Sequence, residues 1–182
     1  LTYIISFYPS IMSSDPANQI KQYFGMDTRF STGVNLINDN IKITNHHPAF
    51  HSFILGGCAK IGDAIGNINL GLFMFSCFQL LVLISALTYS LIYLKRLKIP
   101  FIYRFIVLIM YSLIPVFPLY AMSPVKDVFF GALLIFFIIE LHRLITSNYN
   151  KKDYIILGLL MLFTMLTRNN GVYILLFTIL GT

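Results

Sequence analysis

From Ile68 to Leu94 the chain runs for twenty-seven residues without a charged side chain. A helix of that length rises about 40 Å, more than the roughly 30 Å hydrocarbon core of a bilayer. No soluble core needs an element so uniformly apolar, and the rest of the sequence agrees. Charged residues make up 11% of the chain against 57% hydrophobic ones, where soluble domains carry about 25% charged residues. The sequence therefore predicts an integral membrane protein. Its net charge of +6 does not imply nucleic acid, because the basic residues flank apolar runs instead of forming an aromatic-interleaved basic face. Cys58 and Cys77 provide no disulfide framework.

Further apolar runs divide the chain. Residues 1–12 are read as the end of a first membrane helix, since twelve residues rise only about 18 Å. Residues 13–67 form a polar stretch. Residues 68–94, 99–121, 128–145 and 154–182 are read as membrane helices, with Pro115 and Pro118 kinking the far end of the second and residues 168–171 interrupting the last. The expected fold is all-α: a multi-pass transmembrane helix bundle with an extracytoplasmic first loop containing interfacial helices. The chain starts inside one apolar run and ends inside another, so it is expected to be a fragment of a longer chain with further helices at both ends. Neither a basic leader nor a cleavage site marks a signal peptide.

Orientation follows from the short turns. Lys95, Arg96 and Lys98 lie two spans from Arg143, Lys151 and Lys152, so the six share a side. The turn on the other side, Met122–Asp127, carries Lys126 balanced by Asp127. The positive-inside rule assigns the basic turns to the cytoplasm and residues 13–67 to the outside of the cell membrane. That outer stretch holds four basic and four acidic residues, a neutral balance compatible with export. Pro16–Phe24 and Pro48–Ile65 have helical patterns that could lie at the interface, separated by a loop-like stretch rich in Asn, Asp, Ser, Thr and Gly.

Few residues offer chemistry. Asp15, in Ser13-Ser14-Asp15-Pro16, suits a helix N-cap with Pro16 as the first helical residue. It equally suits a general base at the membrane edge, and the two roles are compatible. His46, His47 and His51 stand together, with His47 and His51 at helical spacing. They lack the glutamate of a zincin and Pro48 intervenes, so loop fixing or contact with a substrate hydroxyl is preferred to a metal site. No cofactor is expected, and a divalent metal is the lesser alternative. Lys126 could hold an anion at the outer edge or merely snorkel to water. Asp127 could cap the helix that follows. Arg168, in Thr167-Arg168-Asn169-Asn170-Gly171, either has a functional partner in the membrane or marks an ordinary outer turn. Glu140 is expected to pair locally with Arg143.

Several of these features resemble the GT-C membrane glycosyltransferases, particularly the protein-mannosyltransferase-like group and related multi-pass proteins of unassigned function from Firmicutes. They are the acid after the first membrane helix (Asp15), the long outer loop, His47-Pro48 before the second span, Lys126-Asp127 at the start of the fourth, and Arg168-x-x-Gly171. The resemblance covers nearly the whole chain through short motifs. It implies transfer of a sugar from a polyprenyl-phosphate donor to an acceptor on the outer face, with inversion and with Asp15 as general base. Lys126 and Arg168 would hold the lipid phosphate, and His46, His47, His51, Asp127 and Asn169 would contact substrate. The implied partners are the lipid-linked sugar and membrane lipid, not nucleic acid. The chain departs from many members in one respect: Pro16 and Ala17 follow Asp15 where a second acid is usual, which counts against metal-assisted transfer. A transporter or lipid flippase using Arg168 and Glu140, or a non-enzymatic component of cell-envelope polymer assembly, is the alternative.

Overall fold

A computed structural model of the chain describes residues 2–28, 48–146, 150–168 and 171–173. Among these residues the fold is all-helical, with α1 (Thr2–Ser6), α2 (Ser14–Tyr23), α3 (Ala49–Ala64), α4 (Ile68–Arg96), α5 (Phe101–Leu113), α6 (Val116–Ala121), α7 (Lys126–Thr146) and α8 (Lys151–Thr167). Two of them, α4 and α7, are long and apolar enough to cross a membrane.

Helix α4 begins where the Asn67 side chain accepts the amide proton of Asn69, at 3.1 Å. It ends past Lys95 and Arg96, whose charges complement the helix dipole. Lys98 takes a left-handed conformation (φ 58°), and Pro100 then caps α5. The expected single span from Ile99 to Ala121 is two helices. Pro115 keeps Ile114 out of the helical region (ψ 115°), so α5 stops at Leu113 and α6 starts at Val116. Pro118 is tolerated because it lies in the first turn of α6. Helix α5 has no buried residue; its exposed Phe101, Ile102, Tyr103 and Leu113 form a surface suited to lipid.

Helices α4 and α7 run parallel. Ring pairs mark their common direction: Phe78 with Phe129 at 5.5 Å, then Tyr89 with Phe136 at 5.5 Å, then Tyr93 with His142 at 5.7 Å. Small residues let them approach, and Ala86, Ala121 and Ala132 pack with Leu83 and Val128 in one core cluster. Helix α8 returns antiparallel to α7, linked by Arg143–Asp153 (3.7 Å) at one end and Arg168–Asp127 (3.2 Å) at the other. Both basic turns consequently share one end of the molecule.

A polar cluster closes that basic end. Glu140, only 4% exposed, accepts a hydrogen bond from the Tyr89 hydroxyl and two from Arg143, at 2.9 and 2.7 Å. The expected Glu140–Arg143 pair therefore forms within a larger network joining α4, α7 and α8. Asp153 completes it by capping α8 with Asn150.

At the opposite end α3 folds back on the first turns of α4. Its residues His51, Ser52, Leu55, Gly56, Ala59 and Gly62 are buried, a helical stripe facing α2 and α4. Leu55, Ala59, Leu72 and Phe75 form the second core cluster. Helix α4 is about 43 Å long, some 13 Å more than a bilayer core, so its first turns can stand beside α3 outside the hydrocarbon. The segment before α2 departs from expectation: α1 stops at Ser6 instead of continuing to Met12. Pro9 lacks an amide proton and bars Tyr8 from helical geometry, and the Ile11 amide bonds to Met122 O instead (2.8 Å).

The α3–α4 hairpin depends on backbone contact, since a Cβ on Gly71 would lie 2.2 Å from Cys58 O. Gly71→Val is expected to destabilise the protein by about 3 kcal/mol or more, whereas Gly57→Ala, with nothing within 4 Å of the added carbon, is expected to be neutral or slightly stabilising. Thermal unfolding in detergent compares the two.

Candidate functional site at the non-basic end

Helix α2 opens two residues earlier than a cap at Asp15 would give. Ser13 is the N-cap, in extended geometry and with no side-chain capping bond. Asp15 then falls inside the first turn, where the helix dipole favours an anion, and Pro16 occupies a position whose missing amide proton would have been unbonded anyway. Asp15 is half-buried and makes no hydrogen bond or ion pair among the described residues.

Two bonds tie the approach to α2 to the turn before α7. Ile11 donates its amide to Met122 O (2.8 Å), and the Ser123 hydroxyl donates to Ile11 O (3.3 Å). Asp15 lies one helical turn of sequence after Ile11, and Lys126 lies three residues after Ser123. The junction is dry: Ala121 and Met122 are each 1% exposed. From α4, Gln79 Nε2 donates into the same turn, with Tyr120 O at 3.1 Å, Ala121 O at 3.2 Å and Ser123 O at 2.7 Å. Gln79 was absent from the sequence-based candidates. Its signal is a lone amide in the apolar Phe78-Gln79-Leu80, which periodicity treats as one more interior residue.

Lys126 is the first residue of α7, half-buried and without an ion-pair partner among the described residues. Asp127 follows and meets Arg168 at 3.2 Å; their side chains are 51% and 42% exposed. The Arg168 guanidinium also lies over the Phe130 ring, 5.5 Å from its centroid. Arg168 stands where the helical run breaks, between Thr167 and the helical residues 171–173. It is the extended residue on which α8 ends (φ −152°, ψ 131°), so its charge stands at the rim and not in the apolar interior. A pair this exposed contributes at most about 1 kcal/mol, and a stronger anion could displace Asp127.

His51 has a different surrounding. It is 1% exposed, packs edge-on against Phe75 at 5.3 Å, and its Nδ1 meets Gln19 Oε1 at 2.6 Å. Ser52 donates to the same oxygen at 3.3 Å. Together they staple α2 to α3, which makes His51 part of the support of Asp15 and leaves it sealed from solvent. His46, His47 and Asn169 lie outside the described residues. No group of three His, Cys, Asp or Glu side chains able to hold a metal occurs among the described residues. Burial raises the Cys58 thiol above its ordinary pKa, which keeps it protonated at neutral pH.

Below Asp127 lies a groove of about 260 Å³ between α4, α6 and α7. Leu83, Leu87, Val116, Phe117 and Val128 line it, and Asp127 is its one charged residue. The non-basic end thus combines an unpaired acid, an unpaired lysine, a loosely held arginine and an apolar slot.

Residues 37–181 match a family described as a family of unknown function (DUF6020). The chain belongs to that family. No curated protein and no solved structure matches it. The DUF6020 match takes in Gln79, Lys126, Asp127 and Arg168 and starts after Asp15.

The staple between α2 and α3 can be tested alone. Gln19→Leu removes the acceptor shared by His51 and Ser52; the Ser52 hydroxyl keeps Pro48 O (3.1 Å), and the cross-helix bond of His51 Nδ1 is lost. The expected loss is about 1–3 kcal/mol, measured by thermal or denaturant unfolding of the purified protein.

Proposed function

We propose that this chain carries the catalytic end of an integral membrane glycosyltransferase that moves a sugar from a polyprenyl-phosphate donor to an acceptor hydroxyl on the outer face. The observation that carries this reading is the unpartnered, half-buried carboxylate of Asp15, in a segment tied through Ile11 to the turn that delivers Lys126. Half-buried charges normally settle into ion pairs where a partner is within reach. Here the lysine stays unpaired and the arginine is held by a weak, exposed contact, which leaves both available to a phosphate.

In this mechanism the Asp15 carboxylate accepts the proton of the acceptor hydroxyl. The oxygen attacks the anomeric carbon from the face opposite the lipid phosphate. The C–O bond to phosphate breaks, its electron pair leaves with the polyprenyl phosphate, and the configuration inverts. Lys126 and Arg168 stabilise the charge that accumulates on the departing phosphate. The apolar groove beside Asp127 would take the first isoprene units of the donor. A phosphate is a good leaving group, so a base, two cations and a slot open to lipid suffice without a metal.

A carrier function has less support. Asp127 and Glu140 are separated by about 20 Å along α7, and Glu140 is already engaged by Tyr89 and Arg143. Arg168 and Glu140 thus belong to separate networks at opposite ends.

Asp15→Asn is expected to reduce transfer from a labelled polyprenyl-phosphate sugar by roughly a hundredfold or more while insertion and unfolding temperature stay unchanged; full activity in that variant removes Asp15 from the role. The orientation has its own test. Single cysteines at Lys98 and Lys151, in a background lacking Cys58 and Cys77, should react with a membrane-impermeant maleimide only after the cells are opened. A cysteine at Ser123 or Lys126 should react in intact cells, and the reverse pattern rejects an outward-facing site.

A further inference from the structure

The three carbonyls that meet Gln79 belong to the end of α6 and to the turn beyond it. Helix ends leave carbonyls without intrahelical partners, and α6 ends among Ala121, Met122 and Pro124, all essentially buried. Backbone amides serve two of the three carbonyls, Ser123 N donating to Tyr120 O (3.0 Å) and Val125 N to Ser123 O (2.7 Å), while the buried Ala121 O takes its donor from elsewhere in the protein. Gln79 supplies it from a neighbouring helix, more than forty residues away in sequence. An amide nitrogen carries two protons and faces three oxygens, so the proton directions are shared among them. The other side of the amide is unconstrained: Oε1 is buried and accepts no hydrogen bond among the described residues. The carbonyls alone therefore set the orientation of the Gln79 amide, and the amide in turn sets where the turn sits relative to α4.

The same turn is also the anchor of the N-terminal segment. Ser123 O accepts from Gln79 while Ser123 Oγ donates to Ile11 O, and the neighbouring Met122 O accepts the Ile11 amide. One residue of α4 thus holds, through a single turn, both the irregular approach to Asp15 and the start of α7 with Lys126. Neither the Asp15 nor the Lys126 side chain makes a hydrogen bond or ion pair between those two segments among the described residues.

We infer that Gln79 is a positioning residue that fixes the spacing between the Asp15 segment and the Lys126 turn, and that it does so by donating protons, not by filling space. Its relevance to turnover rests on the function proposed above; the mechanical coupling does not.

Hydrogen–deuterium exchange of the full chain in nanodiscs separates the two. Wild type is compared with Gln79→Leu, which keeps the volume, and with Gln79→Glu, which keeps the shape and removes the amide protons. Both variants are expected to accelerate exchange at least tenfold at the amides of Ile11, Met122 and Ser123, leaving Ile138–Arg143 at the basic end unchanged. In Gln79→Glu the acceleration should grow as pH rises, once intrinsic exchange is corrected for, because a protonated carboxyl still donates one bond and an ionised one faces three carbonyl oxygens. Wild type should show no such trend. Unchanged exchange at Ile11 and Ser123 overturns the inference, as does equal acceleration in every helix or a pH-independent Gln79→Glu variant. If wild type transfers sugar, Gln79→Leu should lower kcat tenfold or more, and an unaltered kcat overturns the positioning role. If exchange responds selectively but wild type transfers nothing, the coupling stands and the glycosyltransferase reading falls.

Discussion

A helix that ends in apolar surroundings has nowhere to direct its last carbonyls, and in this protein that constraint falls on α6. In lipid or a dry interior each unsatisfied carbonyl costs several kcal/mol. The Pro115 break in the Ile99–Ala121 run creates the problem, because it produces a short helix whose end lies against α4. Backbone amides of Ser123 and Val125 answer part of it, and Gln79 answers the rest by donating to Ala121 O while tying the whole turn to α4. Everything at the non-basic end follows from that contact: the turn at Met122–Ser123 gains a fixed place, Ile11 pairs with it, and α2 and α7 start from neighbouring points.

The two ends of the molecule show opposite economies of charge. At the basic end Glu140, Arg143, Asp153, Tyr89 and Asn150 satisfy one another across three helices. Removing one partner there would strand a buried charge, which is the expensive way to break such a network. At the other end Asp15 and Lys126 are half-buried and unpaired, while Arg168 and Asp127 share a contact that solvent screens. Groups at that end forgo the stabilisation of pairing. Reserved, unpaired charge of this kind is what a site needs when its partner arrives from outside.

Sequence alone was most informative where one physical term dominated. The charge-free run from Ile68 defines α4, and the structure extends it only to Arg96, because Lys95 and Arg96 gain from the dipole of the last turn. The run at Val128 likewise grows by two residues at its start, where Lys126 and Asp127 reach the helix surface. Competing terms blurred the rest. Ser13-Ser14-Asp15-Pro16 offers several caps in a row, and the fold uses Ser13, which moves Asp15 from the cap into the first turn. Pro9 outweighs the apolar pattern around it and ends α1 early. His51 carries the chemistry of a ligand, yet it stands in the stripe His51, Leu55, Ala59 and Gly62 that faces the core. Gln79 left the weakest trace, since only a partner forty residues away makes it special. The shared side of the two basic turns, by contrast, was legible from counting spans.

The position of Asp127 limits how a phosphate could be held. A carboxylate at the mouth of an apolar groove repels an anion entering it, and that repulsion strengthens as water is displaced. Arg168 offsets it. Its guanidinium offers five donors, so it can keep one bond to Asp127 and still turn others toward a second anion, while the Phe130 ring supports its plane. Lys126, with a compact charge and no ion-pair partner among the described residues, would under the proposed transfer follow the phosphate as it departs. The arrangement divides the work between a cation that is oriented and one that is free. Under the proposed transfer a single acid at Asp15 would then suffice: the leaving group would be stabilised elsewhere, and the acid would have only the acceptor proton to take.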